Sequence, residues 1–487
     1  MKKLLLVFLI VILALAFVLS FVGCEQPEEK EPKKAIIWVT ALIAGAYYDS
    51  TDMSPVWDPI DDDLLCIDTM LDQSKLGSLI SGILMDKNSP ILGALTDLIG
   101  PIMSNTQDKT NLFWRLSLDE NGDPLDPTVT PATDPMSGLY YGAARAYKKQ
   151  VETIEEIYGS EYEVKVFTYD WRLDLRDSGK ELEKFINDNQ YDEVVLMAHS
   201  MGGAVVSNYL ARSESNRNKV KGYLSMGGTL AGSFDTWQVM EDPSTYLGMF
   251  MKNLGLDLSG ILSTIDKDGQ LMNNLAGQLS QMAISTYTFP QLCPTWALLQ
   301  SAHYGNGTEG IVIDGTPISS EDELMAFYAT RPWAWQRDSK GDVVYDNNGK
   351  PVVRKVVQEL KDYQHSLYVT DEKGNEVIAT SLVNSYYLFG MGVDTLTNVD
   401  VTTVDGKHQL EFHTTKQGDM QVLLHSLIEN QDPDQLIEDG RLIYIPNSNH
   451  YSVGCSWDVI KDEVVKFLDS LSQTKGAEIL AEMEAEE

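Results

Sequence analysis

Three side chains far apart in the chain have the types that acyl transfer needs: the hydroxyl of Ser200, the carboxylate of Asp419 and the imidazole of His450. Ser200 carries the clearest local pattern. An apolar run, Val194 to Met197, is long enough for a buried strand. A turn follows through Ala198-His199-Ser200-Met201-Gly202, and an amphipathic helix is expected from Gly203 to about Arg212. A strand, a sharp turn with serine at its tip and a helix make a nucleophile elbow. Such a turn strains the serine backbone and needs small residues two before and two after it, which Ala198 and Gly202 supply. The hydroxyl then stands clear of the backbone, and the N–H of Met201 points to where an oxyanion could form.

The base and the acid are placed by chain order, since a serine hydrolase with this elbow runs Ser, then Asp or Glu, then His. Of seven histidines, four lie beyond the late apolar strand Ser385–Val393: His408, His413, His425 and His450. His408 and His413 sit in an alternating segment, Val401 to Thr415, that reads as surface hairpin, and His425 falls on a predicted helix. His450 directly follows the last strand, Arg441–Pro446, in a loop expected to lie over the elbow. Asp394 is too close to the end of its strand to be the acid. Asp419 is the better placed, although its position before a new helix also suits a helix cap. The first strand, Ala35–Val39, runs into the loop Thr40–Gly45, where Leu42 is the candidate for a second oxyanion N–H. An ordinary strand-to-helix turn is the other reading of that loop.

These residues must be held by a scaffold, and the pattern between them describes one. Further strands are expected at Tyr162–Arg172 and Val220–Met226, with helices at about Gly142–Tyr158, Gly179–Asn187 and Trp457–Leu471. Strands alternating with helices predict an α/β fold with a mostly parallel sheet covered on both faces. The body spans residues 35–471. Two stretches, about 50–110 and 233–380, break the pattern and read as cap insertions. The first contains Leu76–Leu84 and Ile91–Met103, whose apolar content exceeds what one buried face needs. It is expected to be a mobile cap that covers a lipid site and rests on a membrane, short core helices being the other reading. Residues 472–487 read as a mobile acidic tail.

The totals exclude several function classes. A hydrophobic content of 43% across 487 residues is ample for a core. A net charge of −35 leaves no basic face for nucleic acid. It also leaves no polybasic attraction to anionic lipid, so membrane contact has to be apolar or covalent. Of the four cysteines, Cys24, Cys66, Cys293 and Cys455, none form a Cys-x-x-Cys pair, and the acidic loop Asp119–Asp123 lacks a calcium loop's closing Glu. No metal and no cofactor are expected. Lys2 and Lys3 precede the apolar stretch Leu4–Gly23, then comes Cys24 and a polar linker to residue 34. This predicts a signal peptide over 1–23, the alternative being an uncleaved anchor helix. Either way the body is expected outside the cytoplasm.

The quoted blocks resemble the lecithin:cholesterol acyltransferase-like lipases and acyltransferases, which have an α/β-hydrolase fold. The resemblance is carried by Tyr169-Asp-Trp-Arg-Leu-Asp174, Ala198-His-Ser-Met-Gly-Gly203, Leu224-Ser-Met-Gly-Gly228, Tyr386–Gly392, Gly418-Asp419 and His450. It implies Ser200 as nucleophile, Asp419 as acid and His450 as base, acting on ester bonds of phospholipids or related lipids. The first strand departs from the family pattern, since Val39-Thr40-Ala41 stands where Val-Pro-Gly is usual. Likewise Phe21-Val22-Gly23-Cys24 resembles a bacterial lipobox, which implies cleavage before Cys24 and its acylation into a membrane anchor. Two other functions fit the same residues: a triacylglycerol lipase or carboxylesterase, and a surface lipoprotein that binds lipid without chemistry.

Overall fold

In the strand β3, Glu193–His199, side chains turn alternately into two hydrophobic clusters. Val194, Leu196 and Ala198 enter one, Val195 and Met197 the other. β1, Lys34–Val39, divides the same way, with Ile37 on one side and Ile36 and Trp38 on the other. Because a strand's side chains alternate across it, continuous apolar runs mark strands buried on both faces. The computed structural model describes residues 32–42, 44–57, 111–132, 147–246, 270–295, 310–338, 340–405, 407–429 and 431–486.

Six strands form the central sheet: β1, β2 (Glu163–Phe167), β3, β4 (Val220–Met226), β5 (Ser385–Met391) and β6 (Leu442–Pro446). Their order is β6-β5-β4-β3-β1-β2, and every pairing is parallel. Parallel neighbours need a crossover, and helices supply it. α1 (Lys148–Tyr158) packs on one face through Val151 and Ile154. α2 (Leu175–Asp188) and α3 (Gly202–Arg212) pack on the other through Leu182, Ile186 and Val205. The α/β expectation is met, with a sheet that is wholly parallel.

Two boundaries differ from those expected. The predicted strand Tyr162–Arg172 ends at Phe167, because Asp170 folds the chain back on itself. Its carboxylate accepts from the backbone N–H and the guanidinium of Arg172, and from the Tyr47 hydroxyl. α2 begins four residues before the predicted Gly179, since the Asp174 side chain accepts from the Arg176 N–H and caps the helix there.

The connection from β1 to β2 carries a small antiparallel sheet of Pro55–Trp57, Tyr47–Asp49 and Val129–Pro131. The connection from β4 to β5 carries α4 (Phe234–Glu241) and a helix at Gln270–Ser285. After β5, strands Thr395–Val404 and Lys407–Thr415 pair as a hairpin, and Ile311–Ile313 adds to it. α5 (Leu424–Ile428) precedes β6, and α6 (His450–Cys455) and α7 (Trp457–Asp469) follow it. The tail differs from its expectation as a mobile segment. Residues Gly476–Glu486 form a helix, α8, with Leu480 buried and Ile479 and Met483 against the same cluster as α1 and α7.

The chain divides at Lys33 into a short N-terminal unit and one body, Lys34–Glu487. The expected signal peptide 1–23, Cys24, most of the linker to 34, Cys66 and the apolar segments between 58 and 110 lie outside the described residues. So do residues 247–269 and 296–309 of the second insertion. Among the described residues no helix is long and apolar enough to cross a membrane, and the Cys293 and Cys455 side chains are buried.

Candidate active site

β3 delivers Ser200 at its carboxyl end, and α3 starts two residues later. Between them Ser200 adopts φ 55°, a left-handed conformation that a non-glycine residue holds only when its surroundings impose it. Those surroundings are two hydrogen bonds. Its N–H donates to the Met226 carbonyl at the end of β4 (2.9 Å), and its carbonyl accepts from Gly203 N–H (2.9 Å). The small residue expected at 202 is required by contact with β1: a Cβ there would lie 2.7 Å from the Val39 carbonyl and 2.8 Å from that of Thr40. That contact brings the elbow against the start of the loop carrying Leu42, which is half-buried.

Asp419 and His450 meet by two bonds. His450 Nδ1 lies 2.7 Å from Asp419 Oδ2, and the His450 backbone N–H donates to the Asp419 carbonyl at 2.6 Å. The other carboxylate oxygen of Asp419 accepts from the N–H groups of Gln421 (3.1 Å) and Val422 (2.7 Å). The carboxylate is thus held in a tight turn, and the cap of α5 falls later, at Leu423, so Asp419 does not cap it. His450 opens α6 behind Asn449, whose side chain accepts from Ser452 N–H. With Nδ1 facing a carboxylate, the imidazole carries its proton there, and Nε2 is left as an acceptor. Nε2 is buried and has no hydrogen-bond partner among the described residues, so the Ser200 hydroxyl does not bond it in this conformation. Such bonds are often open before substrate arrives.

Gly227, at the end of β4, keeps this corner open. A Cβ there would sit 3.0 Å from Asp419 Oδ2 and from the His450 ring, and its φ of +59° is one that glycine adopts without strain. Asp235 on α4 is a second buried acid nearby. Burial, then the charge of Asp419, push its carboxyl well above the usual range, so it stays neutral beside the Asp419 anion. Neither Gly227 nor Asp235 stood out as a site residue in the sequence. The doubled glycine after an apolar strand was the available signal for the first, and a lone Asp on a helix offers none for the second.

The remaining candidates lie elsewhere. Asp394 pairs with Lys416 on the surface. His408 contacts Arg331, His413 bonds Asp400 at 3.0 Å, and His425 is buried in α5. Asp400, Glu411 and His413 have potential ligand atoms within 4.8 Å of one another, on the hairpin.

The Tyr169–Asp174 block proves to be a strut for the loop after β1. The Tyr169 hydroxyl donates to the Thr40 carbonyl (2.9 Å), while Asp170 anchors Tyr47 (2.7 Å) at the loop's far end.

Comparison with known proteins gives a family for part of this arrangement. A family model described as lecithin:cholesterol acyltransferase matches residues 135–258, which include the strut, the elbow and the glycines after β4. No curated protein matches the chain. Among solved structures, one titled "The crystal structure of Tle4-Tli4 complex" is 14% identical and covers 77% of this chain and 78% of its own, with a TM-score of 0.28. A score that low carries no argument about the site. Residues 135–258 therefore carry a lecithin:cholesterol acyltransferase-like domain, of an acyl-transferring or hydrolytic type, set in an α/β-hydrolase fold.

Proposed function

We propose that the protein is a serine-dependent lipid acyl hydrolase or acyltransferase that cleaves ester bonds of phospholipids or related lipids. The observation that carries this reading is the buried Asp419–His450 pair, whose histidine follows the last strand of the parallel sheet, at the same carboxyl end where the strained Ser200 follows β3. His450 Nε2 takes the proton of Ser200 as its oxygen attacks the ester carbonyl. Asp419 fixes the imidazole tautomer and stabilises the imidazolium. The N–H of Met201 and that of Leu42 receive the oxyanion. His450 then protonates the leaving alcohol, and water or a second alcohol releases the acyl group by the same steps in reverse.

Anchoring belongs to the same proposal. Acylation of Cys24 after removal of residues 1–23 would hold the enzyme at a membrane surface outside the cytoplasm, with the apolar first insertion against its lipid substrate. No cofactor is required, because the three side chains and two N–H groups supply every proton and charge the reaction moves.

A fluorophosphonate, which phosphonylates an activated serine with loss of fluoride, tests the chemistry. The expected result is one adduct per chain, at Ser200, and its loss in Ser200→Ala together with turnover of phospholipid esters. A parent protein that fails to react would instead mark a lipid-binding protein. Turnover confined to triacylglycerols or short-chain esters would mark a lipase or carboxylesterase.

A further inference from the structure

His199 precedes the nucleophile and Tyr147 precedes α1, and both are 2% exposed. His199 Nδ1 lies 2.7 Å from the Tyr147 hydroxyl, and its Nε2 lies 3.0 Å from the His450 carbonyl oxygen. A carbonyl can only accept, so Nε2 carries the proton and Nδ1 is the acceptor. Tyr147 therefore donates to Nδ1. Its oxygen in turn accepts from the Ala41 N–H at 3.4 Å. The three bonds therefore run one way: Ala41 N–H to Tyr147, Tyr147 O–H to His199, His199 N–H to His450 C=O, with Cys455 also beside the Tyr147 hydroxyl.

This chain joins the residue before Leu42, on the candidate oxyanion loop, to the backbone of the candidate base, and it runs through the residue that precedes Ser200. Nothing in the proton transfer described above uses it. The surrounding packing is built around it. The His199 and His450 rings lie 5.0 Å apart. A Cβ on Gly454 of α6 would come within 2.2 Å of the His199 ring, so only glycine admits the imidazole there. Gln150 of α1 donates to the Cys455 carbonyl at the end of α6 (2.5 Å), which ties the same two helices a second time. Burial, then the neighbouring His450, lower the His199 pKa to about 3, so it stays neutral and does not compete for the proton that His450 carries.

We propose that His199 and Tyr147 are positioning residues. They form a relay that holds the oxyanion loop and the His450 backbone at a fixed spacing about Ser200, in register for the tetrahedral state. The proposal rests on the serine-hydrolase reading. It assigns a task to the histidine that precedes the elbow serine and to a tyrosine 52 residues away.

The test uses the full chain and follows the rate of fluorophosphonate labelling, ester kcat and KM, and Tm. Tyr147→Phe removes one oxygen. It is expected to lower kcat and the labelling rate about 10-fold, with KM within about twofold and Tm little changed. His199→Gln keeps a donor where Nε2 stands and loses the acceptor for Tyr147. His199→Asn does the reverse. Each should lose less than His199→Phe. Tyr147→Phe combined with His199→Gln should cost no more than the larger single change, because both remove the same bond. A merely structural role would lower Tm and leave kcat intact. Variants that label at the parent's rate, or full additivity in the double variant, would overturn the relay alone. A parent that does not label would overturn the serine-hydrolase reading and the relay with it. If His199→Phe does not fold, Tyr147→Phe and the amide variants decide.

Discussion

At the scale of single residues, the site is defined by where protons can sit. Asp419 is wholly buried and accepts two backbone N–H bonds on one oxygen, which leaves the other for His450 alone. That geometry admits one imidazole tautomer. Asp419→Asn keeps the shape, but the amide can present its N–H to Nδ1, forcing the ring proton to Nε2, where it blocks acceptance from Ser200. A kcat loss of about 10³–10⁴ with an unchanged fold is expected, by analogy with the same exchange in a serine protease triad. A loss smaller than about tenfold in steady-state assays would remove Asp419 from the role of acid. Asp235 gives the contrasting case. It too is buried, and burial and then the charge of Asp419 hold it neutral.

At the scale of elements, what was legible in the sequence depended on how local the cause was. The elbow was legible because strand, turn and helix are contiguous, although the contact that requires Gly202 comes from the distant Val39 and Thr40 carbonyls. Asp419 and His450 were legible through chain order, once β5 and β6 had been read from their apolar runs. The hydrogen bonds that align them have no sequence signature. The early start of α2 was missed because a cap, Asp174, outweighed an interior glycine. The helix α8 was missed because its charge and alanine content suggest solvent on all sides. Leu480, Ile479 and Met483 nonetheless form a stripe at helical spacing that meets α1 and α7. That contact predicts a stabilising role remote from chemistry. Leu480→Ala should cost about 2 kcal/mol in denaturant unfolding and leave kcat unchanged. A variant as stable as the parent would show that α8 does not hold to the body in solution.

At the scale of the whole molecule, two buried groups set opposing pH dependences. Glu429 lies behind α5, bonded to Gln364 of the second insertion at 2.9 Å, and Gln364 also reaches the Leu230 carbonyl after β4 at 3.4 Å. Burial raises the Glu429 pKa from 4.5 to about 7, against the pull of Tyr368 and Gln364. Between those values the native state keeps a proton that the unfolded chain has released, so this group's contribution to stability falls as pH rises from about 4.5 to 7. His199, lowered from 6.5 to about 3, acts the other way: the unfolded chain binds the proton first, and stability falls as pH falls through that window. Between about 4.5 and 6.5 the two slopes offset each other, so the parent shows little trend from this pair. Glu429→Gln removes one of them without a large change in shape. The stability difference, variant minus parent, should therefore be least near pH 4.5. It should grow in the variant's favour by about 1–3 kcal/mol towards pH 8, where the parent must hold a buried carboxylate. Guanidinium unfolding of both proteins at pH 4.5, 6 and 8 measures that difference directly. A difference that stays constant with pH would mean Glu429 is already charged in the native state, and that the contact between the second insertion and the loop after β4 does not depend on its proton.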